Sequence, residues 1–116
     1  MPKKILVVDD AETILMMERM ILGTEYDVVV ARNGSEAVST AIVERPDLIL
    51  LDVVMPVLGG IEACRRLRGT PETKDVPIIM VTTRSEIAHV EASFESGCND
   101  YVTKPINGLE LITKDH

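Results

Sequence analysis

Two adjacent aspartates, Asp9 and Asp10, follow the apolar run Ile5–Val8, and a third, Asp52, follows Leu48–Leu51. A hydroxyl pair, Thr82-Thr83, follows Ile78–Val81, and Lys104, fixed before Pro105, follows the weaker run Tyr101–Val102. Carboxylates gathered at one point repel one another, and a divalent cation relieves that repulsion. With hard oxygen ligands only, the set suits Mg²⁺, which keeps several waters and takes few carboxylates. A half-filled shell leaves room for a phosphoryl oxygen. A carboxylate can act as a nucleophile toward phosphorus, forming an aspartyl phosphate. A lysine ammonium and a threonine hydroxyl can then hold the other phosphoryl oxygens, because positioning and charge neutralisation do most of the work in phosphoryl transfer. Asp52 could be a turn aspartate and Asp10 a helix cap. However, a carboxylate closing a run of buried strand needs a cation or a reaction to justify it.

Those groups act together only if the chain brings the ends of the apolar runs to one place. The first four runs, Ile5–Val8, Val28–Ala31, Leu48–Leu51 and Ile78–Val81, lack polar alternation, as expected of parallel strands covered on both faces. Helical patterns lie between them. The first presents Ile14, Met17 and Ile21 on one face, leaving Leu15, Met16 and Met20 off it. The second runs from about Ser35 to Glu44 with Ala37, Val38, Ala41 and Ile42 inward. The third carries Ile61, Cys64 and Leu67, the fourth Ile87, Val90 and Phe94, and a fifth begins near Asn107. Asn33-Gly34, Gly59-Gly60, Gly69 and Gly97 punctuate the boundaries. Five β–α repeats predict an α/β fold, a doubly wound five-stranded parallel sheet with helices on both faces. In such sheets functional groups gather at the carboxyl ends of the strands, beside the point where strand order reverses. The acids, the threonine and the lysine all fall at that edge.

The chain has 116 residues, a net charge of −7 and 46% hydrophobic residues, so it reads as one domain, 1–116, with an aliphatic core. The acidic balance argues against direct nucleic acid binding. No apolar run approaches a membrane span, and Met1–Asp10 is too short in its apolar part for a signal peptide. A cytoplasmic protein that makes no membrane contact is expected. Cys64 and Cys98 have neither metal-site nor disulfide-framework spacing and read as small buried residues.

Over essentially its whole length the chain resembles the receiver domains of bacterial two-component response regulators, the single-domain chemotaxis regulators among them. The matching pieces are ILVVDD at 5–10, PDLILLDVVMP at 46–56, Gly60, PIIMVTT at 77–83 and GCNDYVTKP at 97–105. The resemblance implies a flavodoxin-like sheet of order 2-1-3-4-5. It implies Asp52 as phosphoacceptor, Asp9 and Asp10 as the acidic pair, Lys104 as phosphate partner, Thr82 as switch hydroxyl and Tyr101 as switch aromatic. It adds Asp10, Asp52 and the Val54 carbonyl as ligands of a Mg²⁺ cofactor. The implied partners are a sensor histidine kinase or histidine phosphotransfer protein, and a downstream protein target or output domain reached through the fourth helix, fifth strand and fifth helix. Such a domain catalyses only its own phosphotransfer and dephosphorylation and is not an enzyme on other substrates. Gly59 departs from the pattern, standing where the family usually places Asp or Asn at the start of the third helix.

Three rival readings fit less well. An aspartyl phosphatase needs a second acid two residues after its nucleophile, where this chain has Val54. A flavin-binding protein of the same topology needs a Ser-, Thr- and Gly-rich loop after the first strand, where this chain has Asp9-Asp10-Ala11-Glu12. A phosphorylation-independent scaffold has no use for the full set of acids, threonine and lysine.

Overall fold

The structure, a computed structural model, describes residues 3–53, 58–82, 95 and 97–103. Its elements in chain order are β1 (Lys4–Val8), α1 (Glu12–Leu22), β2 (Asp27–Ala31), α2 (Gly34–Glu44), β3 (Leu48–Asp52), α3 (Gly60–Arg68), β4 (Ile78–Thr82) and β5 (Asp100–Thr103). The fourth-helix stripe Ile87, Val90 and Phe94 and the fifth helix expected from Asn107 lie outside the described residues.

Every strand pairing is parallel, and the sheet order is β2-β1-β3-β4-β5. Each expected run became a strand because β-branched and leucine side chains fill both faces of a covered sheet. One face packs Leu6, Val8, Ile49, Leu51, Ile78 and Met80 under α2 and α3. The other packs Ile5, Val7, Leu48, Leu50, Ile79 and Val81 with Leu15 and Leu22 of α1. Cys64 and Cys98 are buried in the first of these layers and form no disulfide. Burial pushes the Cys98 thiol up to about 11, so it stays protonated and unreactive at neutral pH.

The structure corrects two expected helix faces. In α1 the buried stripe is Leu15, Glu18 and Leu22, whereas Ile14, Met17 and Ile21 are only half-buried. Leu15, expected off the buried face, is 2% exposed. The two stripes differ by one residue, about 100° of rotation. A glutamate at the centre of the true stripe hides it from a reading based on apolar spacing. In α2 the buried positions are Gly34, Ala37 and Ala41. These small residues bring the helix axis close to the sheet. Ile42, expected inward, turns past the contact and is 37% exposed.

Candidate functional site

Strand register builds the site. Val8 of β1 pairs with Leu51 of β3, so the next residues on each strand, Asp9 and Asp52, stand side by side at the carboxyl edge. Alternation places Asp9 two residues beyond Val7 and Asp52 two beyond Leu50, both members of the α1-side layer. Both carboxylates are almost fully buried, at 1% and 3% exposure. Asp10 is exposed beside them. One carboxylate oxygen from each of Asp9, Asp10 and Asp52 lies within 4.8 Å of the others.

Local backbone geometry holds the acids in place. Asp9 donates its backbone N–H to the Ala31 carbonyl at 3.1 Å, which carries the sheet past the end of β1. Its Oδ1 then accepts the Ala11 N–H at 3.0 Å, an Asx turn that swings the chain from strand into helix. The N-cap of α1 is Ala11 with no side-chain cap, so Asp10 is not spent on capping. On the other strand, Gly60 donates its N–H to the Val53 carbonyl at 2.9 Å, fastening the start of α3 against the end of β3. A Cβ on Gly60 would stand 2.0 Å from the Asp52 carbonyl oxygen, so only glycine fits there. The N-cap of α3 is Gly59, again without a side-chain bond.

The other expected site residues divide into two groups. Thr82 closes β4 in register with Thr103, one strand from Asp52, which itself pairs with Val81. Tyr101 lies on β5 opposite Met80 and packs, half-buried, against the α3-side layer. Val54 and Lys104 lie outside the described residues. Sequence reasoning missed Arg32, which follows β2 at the same edge and forms an ion pair with Glu12, the second residue after the acidic pair. Arg32 holds the Glu12 carboxyl below the ordinary carboxylate range. The available signal was positional: both residues come just after strand ends at the active edge.

Chemically, three oxygen donors of carboxylate type within this span, two of them buried, could hold a hard divalent cation, and Mg²⁺ fits the donor set. Buried like charges this close are costly without a cation or a cationic side chain beside them.

Comparison with known proteins agrees with this fold. Residues 5–114 match the family model described as response regulator receiver domain. The alkaline phosphatase synthesis transcriptional regulatory protein PhoP of Bacillus subtilis (strain 168) is 43% identical over 112 residues, which cover 96% of this chain. The chain spans 46% of that relative's length. Among solved structures, the receiver domain of sensor histidine kinase PA1611 of Pseudomonas aeruginosa PAO1 matches with a TM-score of 0.91 at 32% identity, over 99% of this chain and 95% of that one. That structure has a magnesium ion coordinated in its active site cleft. The chemotaxis protein CheY4 of Vibrio cholerae matches with a TM-score of 0.90 at 32% identity, over 98% of this chain and 96% of that one. Among the described residues no helix is long and apolar enough to cross a membrane.

Proposed function

The chain belongs to the response regulator receiver domain family, and from that premise we propose that it is a phosphorylation-switched signalling module whose phosphoacceptor is Asp52. The observation that carries the proposal is the convergence of Asp9, Asp10 and Asp52 at one strand edge. In this reading Asp10, Asp52 and the Val54 carbonyl would hold Mg²⁺; the magnesium ion in the active site cleft of the similar PA1611 domain supports the choice of metal. When bound, Mg²⁺ neutralises charge on the phosphoryl oxygens and lets an anionic donor approach an acidic site.

The chain's own groups do the rest. A carboxylate oxygen of Asp52 attacks the donor phosphorus. The bond from phosphorus to the donor histidine nitrogen, or to the acetate oxygen of acetyl phosphate, breaks, and the leaving group departs with the electron pair. An acyl phosphate is left on Asp52. Lys104 pairs with the new phosphoryl charge, and the Thr82 hydroxyl moves toward it. Tyr101 takes the space that Thr82 leaves, biasing the surface formed by the fourth helix, β5 and the fifth helix toward a downstream protein. The phosphoryl source is a sensor histidine kinase or a histidine phosphotransfer protein. A cytoplasmic location suits such a partner.

Metal titration by NMR or calorimetry tests the assignment of ligands. Mg²⁺ is expected to bind weakly to the unmodified protein. Asp10→Ala should weaken it about tenfold or more, and Asp9→Ala less, because Asp9 acts on the ion through water. Equal affinity in both variants and the parent would contradict this ligand set.

The exposed methionines of α1 supply a second test. Met16 and Met20 are 64% and 76% exposed and, with Thr13, Met17 and Ile21, line an open groove along α1, the helix that starts beside the acidic pair. Methionine surfaces adapt to a partner's shape, and the phosphoacceptor must approach a donor histidine closely. Met16→Glu with Met20→Lys should leave folding and acetyl phosphate labelling intact while slowing transfer from the cognate kinase about tenfold. An unchanged transfer rate would show that these residues are merely exposed.

A further inference from the structure

At the edge of the sheet opposite the aspartates, one side chain gathers the approaches to two strands. Arg68, the last residue of α3, donates from Nε to the Gly97 carbonyl at 2.8 Å and from Nη1 to the Val76 carbonyl at 2.6 Å and the Lys74 carbonyl at 3.2 Å. Its Nη2 donates to Asn99 Oδ1 at 2.8 Å. The same Asn99 oxygen accepts the Ile78 N–H at 2.8 Å, and the Asn99 N–H donates to the Ile78 carbonyl at 2.8 Å. The fork therefore ties the C-terminus of α3 to the segment leading into β4 and to the turn leading into β5. Gly97 completes the fit. Its φ is +106°, and a Cβ there would stand 2.8 Å from Arg68 Cγ.

The other end of the same helix rests on the phosphoacceptor strand. Gly60 bonds to the Val53 carbonyl and lies against the Asp52 carbonyl with no room for a Cβ. α3 has nine residues and is roughly 13 Å long. It is a short, stiff strut, seated at one end on Asp52 and Val53 and clamped at the other to the amino ends of β4 and β5. These two strands carry Thr82 and Tyr101.

We propose that Arg68 is a positioning residue that couples the Asp52 end of α3 to the β5 strand bearing Tyr101, so that a shift of the β3–α3 junction reaches Tyr101 through the helix. The inference rests on Asp52 being the phosphoacceptor. A guanidinium is suited to the task because its planar fork reaches four acceptors at once, which a lysine ammonium cannot do from one point.

The test uses the full chain and reads the Tyr101 ring signals by NMR before and after labelling with acetyl phosphate and Mg²⁺, with labelling checked by mass. Arg68→Met and Arg68→Lys should remain labelled at Asp52 while the Tyr101 response falls to about half or less of the parent's. Should Arg68→Met fold poorly, Asn99→Ala removes a single acceptor and should give an intermediate loss. Asn99→Asp keeps the acceptor and strengthens it with charge, and should retain the full response. A merely structural role would lower the melting temperature of these variants without ordering their Tyr101 responses in this way. A labelled Arg68→Met or Asn99→Ala protein with the parent's full response overturns the coupling and leaves the phosphoacceptor assignment standing. A labelled parent whose Tyr101 does not respond also overturns the coupling. A parent that takes no phosphoryl group overturns both.

Discussion

Asp52→Asn is expected to abolish phosphorylation of the chain by small phosphodonors. An amide oxygen is a far poorer nucleophile than a carboxylate. Asp9 is tied to the Ala11 N–H and Asp10 is exposed beside the cluster. Of the three aspartates, Asp52 alone combines near-complete burial with a place on the strand bordered by Thr82's strand. The substitution is nearly isosteric, so the variant should fold with a melting temperature within a few degrees of the parent. Intact mass after incubation with Mg²⁺ and acetyl phosphate checks both halves of the expectation. A full stoichiometric gain in the variant, mapped to a serine or threonine, would contradict the assignment.

Gly60→Ala should be the most destabilising single methyl addition near the site. The added Cβ would meet the Asp52 carbonyl oxygen at 2.0 Å and the Asp52 carbonyl carbon and Val53 Cα at 2.9 Å. All three contacts are with backbone, so relief requires α3 to lift away from β3. That movement breaks the Gly60 N–H to Val53 carbonyl bond and opens the layer packed by Ala63, Cys64 and Leu67. Overpacking of this kind typically costs about 3 kcal/mol. For a domain of this size that corresponds to a fall of roughly 10 °C in melting temperature. Thermal unfolding measured by circular dichroism checks it. Because α3 leans on the carbonyl of Asp52 itself, the labelling rate should fall with stability. A melting temperature unchanged within about 2 °C would show that the junction gives way easily.

Much of the site was legible because the sheet is regular. Apolar runs without alternation set the strands, and the residues just after each run set the edge chemistry, so Asp9, Asp10 and Asp52 could be placed together from sequence. The family resemblance supplied the strand order and with it the adjacency of β1 and β3. The α1 face was misread because Glu18, a charged residue, sits in the buried stripe, and apolar spacing assigns a glutamate to solvent. The Ile42 error came from packing distance: a helix seated through Gly34, Ala37 and Ala41 uses a narrower face than its apolar count suggests. The Arg68 fork was not legible at all. Its acceptors are mostly backbone carbonyls, and a carbonyl has no signature in sequence. Nor was the Gly60 contact, since a glycine needed for close approach reads the same as one needed for a turn.

In the proposed function the aspartate cluster uses Mg²⁺ to place a phosphoryl group on a carboxylate of this chain. Intact mass spectrometry of the parent after incubation with acetyl phosphate, with Mg²⁺ and with a chelator in its place, tests it most directly. The expected result is a gain of one phosphoryl group in the presence of Mg²⁺, lost on exposure to base as an acyl phosphate must be, and no gain with chelator. A gain that is independent of Mg²⁺ and stable in base, or no gain at all, would contradict it.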